Sequence, residues 1–112
     1  MTVEMRGIKL ADVQVLVGCG KIVWTEHVIL RLRERKLKRK DVLECIANGE
    51  IVEHYKDDKP FPSCLISGRA LDGRPMHVVC GVNSGIVCCI ITSYCPATDK
   101  WESDYKTRKA VN

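Results

Sequence analysis

The sequence predicts an α+β fold: N-terminal helices packed on one face of a three- to five-stranded antiparallel sheet. Three observations carry the prediction. Apolar residues in the first half recur at helical spacing. Beyond Gly49 the pattern changes to short, β-branched apolar runs, and three of these runs are joined by glycine-bearing turns at Asp72-Gly73 and Asn83-Ser84-Gly85. Helices followed by an antiparallel meander is the α+β order. The 112 residues are expected to form a single domain, 1–112, able to bury enough surface to fold without a metal or disulfide.

Each element has a local reason. Over residues 8–17, the apolar set Ile8, Leu10, Ala11, Val13, Val15, Leu16 and Val17 fits a short buried helix, stopped by Gly18 and Gly20. Residues 22–24 read as extended. Thr25 then offers a hydroxyl to cap a helix over 26–36, and Asp41 is expected to cap a second one carrying Val42, Leu43, Ile46 and Ala47, ended by Asn48 and Gly49. Strands are expected at 51–55, 64–71, 76–81 and 86–94, with a loop over 57–62. The last strand is apolar enough to be covered on both faces near the sheet centre. Pro96 ends it, and residues 101–108 are expected to add a short final helix.

Composition narrows the function classes. No apolar stretch is long enough to span a bilayer, and residues 1–10 lack the apolar core of a signal peptide, so a cytoplasmic protein with no membrane contact is expected. Seven cysteines form an odd set without a Cys-x-x-Cys pair and fall mostly in apolar runs, which reads as reduced core residues. His77, Cys80, Cys88, Cys89 and Cys95 cluster in two strands, but neighbours in a strand point to opposite faces, so no metal site is expected. No phosphate-cradling glycine loop, Ser-His-Asp set or paired-carboxylate signature appears, and no cofactor is expected.

Charge is more informative. The formal net charge is +4, and of 18 basic residues seven lie within ten positions: Arg31, Arg33, Arg35, Lys36, Lys38, Arg39 and Lys40. A solvated helix carries such a run without any function, but a phosphate-rich partner also fits it. His27 stands just before the run, four residues from Arg31 and eight from Arg35. At 3.6 residues per turn, these three share a sector of about 80° beside the apolar stripe of Val28, Ile29 and Leu32. Metal-independent RNA cleavage needs a base, an acid and cations for the phosphorane charge. His27 and His77 are candidates for the acid and base, Arg31 and Arg35 for the cations, and Tyr94 for a further phosphate donor. Arg33, Lys36, Lys38, Arg39 and Lys40 are candidates for backbone binding. The plainer reading makes His27 a helix-start residue, His77 a half-buried strand residue, and the arginines surface partners of Glu34 and Glu26. The cross-strand partner of His77 is expected to be Ile90 or Ile91, and the choice decides whether Tyr94 shares its face.

The string Thr25-Glu26-His27-Val28-Ile29-Leu30-Arg31-Leu32-Arg33-Glu34-Arg35, the turn Asn48-Gly49-Glu50-Ile51-Val52-Glu53, the hairpin Gly73-Arg74-Pro75-Met76-His77-Val78-Val79 and the exit Thr92-Ser93-Tyr94-Cys95-Pro96 resemble a small prokaryotic family of unknown function, family 4258. The resemblance covers residues 22–109. The family in turn resembles toxins of the RelE and ParE type, whose helix-then-sheet fold is shared with barnase-like ribonucleases. The resemblance implies that fold, a toxin-antitoxin context, and a small antitoxin-like protein partner, often of zinc-finger type. RelE-type toxins rely largely on lysine, arginine and tyrosine, so the two-histidine assignment comes from the residues alone. The functional expectation is a toxin-like RNA-binding protein, acting as a metal-independent endoribonuclease of mRNA interferase type. The alternative is a non-catalytic interaction module whose basic helix binds an acidic protein or nucleic acid.

Overall fold

The computed structural model describes residues 7–110. Residues 1–6, part of the stretch without a signal-peptide core, and residues 111 and 112 lie outside the described set. The chain runs through α1 (Leu10–Gly18), β1 (Ile22–Trp24), α2 (Glu26–Glu34), α3 (Arg39–Asn48), β2 (Glu50–Tyr55), β3 (Ser63–Arg69), β4 (Pro75–Asn83) and β5 (Val87–Tyr94). The α+β class and the order of elements are as the sequence predicts.

Helix ends follow local chemistry. Thr25 caps α2, its Oγ1 accepting the Val28 N–H at 3.1 Å. Both α1 and α2 close with paired backbone bonds in which one residue is left-handed. In α1 that residue is Gly20, with φ 75°. In α2 it is Lys36, with φ 57°, a conformation that a side chain makes less favourable. The expected capping role of Asp41 is corrected. The helix starts at Arg39, so Asp41 sits in its first turn and reaches back to accept the Lys38 N–H at 2.8 Å. Its other oxygen accepts the Leu71 N–H at 3.0 Å, which ties the helix start to the β3–β4 hairpin.

The five strands lie in the order β1-β5-β4-β3-β2. The meander β2–β5 is antiparallel, and β5 lies next to the central strand, β4. The expectation of a wholly antiparallel sheet is corrected at one edge, where β1 runs parallel to β5 with Ile22 beside Cys88 and Trp24 beside Ile90. The chain passes directly from β1 into α2, which packs over β5, and three residues of strand carry no local signal of direction.

One face of the sheet meets the helices. Val13, Leu16, Val28, Leu32, Val42 and Ile46 pack on Cys64, Ile66, Met76, Val78, Cys80, Cys88 and Ile90. Burial of each such side chain contributes roughly 1.5–3 kcal/mol. Four of the seven cysteines are buried, Cys89 is half-buried, and Cys19 and Cys95 are exposed; all are free thiols. At Cys45, burial pushes the thiol up to about 12, and Sγ lies 3.4 Å from the Met76 carbonyl.

On the opposite face the C-terminal segment, residues 97–109, packs over His77, Ser67 and Glu53 and forms a strap rather than the expected helix. Trp101 and Arg108 bridge each other, Tyr105 is left-handed with φ 58°, and the Asp104 carboxylate accepts from the backbone N–H of Lys106 and Thr107. Such side-chain-to-backbone bonds compete with helix formation.

Candidate functional site

Two regions carry the chemistry-bearing residues, one on each side of the sheet. The first is the cationic band at residues 31–40. It begins on the outer side of α2, passes through the left-handed turn at Lys36 and ends in the first turn of α3. All seven cations are exposed. Arg31 pairs with Glu34 at 3.1 Å, both largely in water, an arrangement worth only a few tenths of a kcal/mol. Arg39 lies over the Trp24 ring, its guanidinium carbon 5.7 Å from the ring centroid. Among the described residues, the side chains of Arg33, Lys36, Lys38 and Lys40 have no ion-pair or hydrogen-bond partner.

The band is held rigidly although it is exposed. Leu37 turns inward, only 4 % exposed, and its N–H donates to the Leu32 carbonyl at 2.8 Å. Arg74 of the β3–β4 hairpin donates to the Lys36 carbonyl at 3.1 Å, and Arg35 donates to the Ser93 carbonyl at 2.7 Å. The cations are therefore presented from a turn fixed to the sheet at two points. Ile29, Leu32, Arg33, Leu37 and Arg39 line a groove of about 240 Å³ there.

The second region is built around His77. Val78 points into the helix-side core, so its neighbour His77 points to the strapped face. His77 is completely buried. Its Nε2 donates to the Tyr105 carbonyl at 2.6 Å, which fixes the proton on that nitrogen and leaves Nδ1 as a lone pair with no partner among the described residues. The ring meets Trp101 and Tyr94 edge-on, at 4.6 and 5.4 Å between centroids. Burial holds the imidazole below its ordinary pKa, so it is neutral at physiological pH.

Around the histidine the strap is clipped down. Arg108 donates two hydrogen bonds to the Glu53 carboxylate, at 2.7 and 3.0 Å, and stacks over Trp101 at 4.6 Å. Tyr55 donates to the same carboxylate at 2.5 Å. The Arg108 hydrogen bonds hold Glu53 below the usual carboxylate range, while burial pushes the Tyr55 hydroxyl up to about 12. Burial also raises the pKa of Tyr94, and the fields of Arg108 and Arg35 oppose that rise.

The structure places the residues singled out from sequence as follows. Tyr94 is the direct cross-strand partner of His77, in place of the expected Ile90 or Ile91. Asn83 pairs with Val87 across a three-residue connection, which alone would set His77 opposite position 93. A one-residue bulge between Val79 and Cys80 then advances the register to Tyr94. His77, Tyr94 and the anchored Arg35 thus come to one end of the sheet. His27 does not join them, because it is exposed on α2, across the sheet from the strapped face. Trp24, Ile29, Leu32 and Leu37 around the cations, and Glu53, Trp101, Tyr105 and Arg108 around the histidine, were not anticipated as site residues. A tryptophan inside an otherwise polar tail was the available signal for the strap. Among the described residues no helix is long and apolar enough to cross a membrane, and no group of three or more His, Cys, Asp or Glu side chains is arranged to hold a metal ion.

A family model described as "Domain of unknown function (DUF4258)" matches residues 24–94, more than half of the chain. The match takes in the cationic band, His77 and Tyr94 and ends before the strap. Neither the curated proteins nor the solved structures contain a match to this chain.

Proposed function

Because the chain belongs to the family described as Domain of unknown function (DUF4258), which carries no assigned activity, we propose from its own residues that it is a toxin-like RNA-binding protein. The observation that carries this reading is the band at residues 31–40, where four exposed cations have no side-chain partner among the described residues and the turn presenting them is anchored by Arg74 and Arg35. Fixed cations that have not spent their charge on neighbours are what a phosphodiester backbone requires, and each neutralised phosphate releases counterions. The RelE/ParE likeness of the sequence motifs supports the same reading and suggests a small antitoxin-like protein as the natural inhibitor.

Within this reading, metal-independent cleavage would draw on Tyr94, Arg35 and His77 at one end of the sheet. His77 is neutral with a free Nδ1, the state a general base needs, but the strap must lift before RNA reaches it. A specific observation favours the second reading, a module that binds without cutting: His27 and His77 do not meet, so the expected acid–base pair is not assembled.

The test is the affinity for a labelled single-stranded RNA between about 50 and about 200 mM salt. Affinity is expected to fall steeply, and replacing Arg33, Lys36, Lys38 and Lys40 together by Gln should reduce the log–log slope by roughly one for each phosphate that is no longer neutralised. A parallel single-turnover assay in chelator separates the two readings. Products ending in a 2′,3′-cyclic phosphate or 3′-phosphate support cleavage, and intact bound RNA supports the module. Binding that ignores salt, or an unchanged slope in the variant, would refute the assignment of the band.

A further inference from the structure

We infer that the groove beside Arg39 is a binding pocket for one unpaired base of a single-stranded RNA. The inference rests on the RNA-binding reading above and narrows its ligand from polyanions in general to single strands. Electrostatic attraction alone does not favour a single strand, because a duplex carries the denser charge and releases more counterions for each phosphate neutralised. What distinguishes this part of the band is its floor. Leu32 and Leu37 close the bottom of the groove, 3 % and 4 % exposed, and half-buried Ile29 forms its wall.

The local backbone explains why an apolar depression sits in the middle of a cationic surface. Leu32 lies in the last turn of α2 and Leu37 is the third residue past its end. The Leu37 N–H to Leu32 carbonyl bond of 2.8 Å and the Lys36 N–H to Arg33 carbonyl bond of 3.1 Å form the paired closure that brings two such apolar side chains together. Lys36 occupies the left-handed position of that closure, so the chain reverses around the leucine pair. Arg33 and Arg39 stand at the two borders of the pocket. Both lie within the run of exposed cations, so a group entering between them meets an apolar floor and positive walls.

That pairing of surfaces matches one chemical unit. An unpaired nucleotide offers a flat, weakly polar ring and an attached negative phosphate, and single-strand binders use stacking on aromatic or guanidinium planes with a cationic track for the backbone. Arg39 already rests over the Trp24 ring at 5.7 Å, so its guanidinium is positioned before any ligand arrives and loses less freedom on binding. The volume of about 240 Å³ lies below the range of drug-sized pockets, in keeping with a single ring rather than a larger ligand. A base-paired strand keeps its rings stacked inside the duplex and has nothing to insert.

The experiment compares three probes at matched salt: a labelled oligouridylate, an RNA duplex of equal length, and inorganic polyphosphate as a base-free polyanion. Wild type is expected to bind oligouridylate on the order of tenfold tighter than the duplex. Arg39→Lys keeps the charge and removes the planar guanidinium, and it should erase the preference while polyphosphate binding stays unchanged. Ile29→Lys adds a positive charge yet should also weaken oligouridylate binding, the opposite of what electrostatics alone predicts. Circular dichroism establishes that both variants are folded. Equal binding of single strand and duplex, or an undiminished preference in both variants, overturns the pocket and leaves the cationic band standing. Failure of all three probes to bind overturns the RNA reading itself and points to a protein partner.

Discussion

The two sides of the sheet spend their charged and polar residues in opposite ways. On the helix side the interior is apolar, with Asp41 at its edge taken up by two backbone N–H groups, and the cations remain outside, in water, with few partners. On the strapped side the polar groups are used up internally: His77 on the Tyr105 carbonyl, Ser67 on the same carbonyl at 3.0 Å, and Glu53 on Arg108 and Tyr55. Buried polar groups engaged on one another order this side of the fold, with the His77 Nδ1 left unpaired among the described residues, whereas exposed cations cost little fold stability and are free to act on a ligand. The difference teaches that the titratable residue most suggestive in the sequence, His77, serves the fold first, and the plain basic run is the surface available for function.

The comparison breaks most visibly at Trp101. This ring is 4 % exposed and packs against both His77 and Arg108. Trp101→Ala should cost roughly 3–5 kcal/mol of unfolding free energy in denaturant titration. RNA affinity of the folded fraction should not change. A comparable loss of affinity in folded protein would show that the two sides are not independent.

A pH series sharpens the same contrast. Burial lowers the pKa of His77 below its ordinary 6.5, so the unfolded chain takes up the proton first as pH falls. The stability this residue contributes is complete above about pH 6.5 and is lost progressively below it, by at most about 1.4 kcal/mol per pH unit. Glu53, held low by Arg108, acts in a separate window: its contribution is present above 4.5 and disappears as pH falls further. Thermal melts at closely spaced pH values should therefore show a first decline starting near 6.5, and His77→Gln should remove that first decline while leaving the second. Its survival in the variant would assign the effect elsewhere.

Much of this architecture was legible in the sequence. Thr25 before an amphipathic run gave α2, and Asp72-Gly73 and Ser84-Gly85 supplied left-handed residues where the hairpins turn, with Gly73 at φ 89° and Gly85 at φ 70°. Short β-branched apolar runs between turn signals gave the antiparallel strands. Three features were not legible, each for a physical reason. The parallel pairing of β1 is a tertiary outcome of where α2 packs. The bulge opposite Val79 and Cys80, whose extra residue is Ile91, shifts register by one residue with no glycine or proline in β5 to announce it, and together with the three-residue turn it sets His77 opposite Tyr94. The strap is built from side-chain-to-backbone bonds of Asp104 and a single aromatic, and such a segment has no periodicity to read. The cationic residues themselves were visible from composition, but the groove among them depends on the Leu32–Leu37 closure, and Lys36 gives no glycine signal for it.

Two smaller effects complete the contrast. Glu53→Gln removes the charge partner of Arg108 at the strap edge, where the pair is partly exposed, with side-chain exposures of 24 % and 57 %. About 1 kcal/mol of stability or less should be lost, together with faster proteolysis within the strap. Lys36→Gly relieves the left-handed side chain and should raise stability by up to about 1 kcal/mol, net of the added flexibility of the unfolded chain. RNA affinity should drop only slightly, because one cation of the band is removed.

Backbone hydrogen exchange, measured with and without a saturating single-stranded RNA at low salt, tests the division of labour most directly. The account predicts added protection across residues 31–40 and no change across residues 97–109 or at His77. Protection that appears on the strap while the cationic band stays unprotected would contradict it.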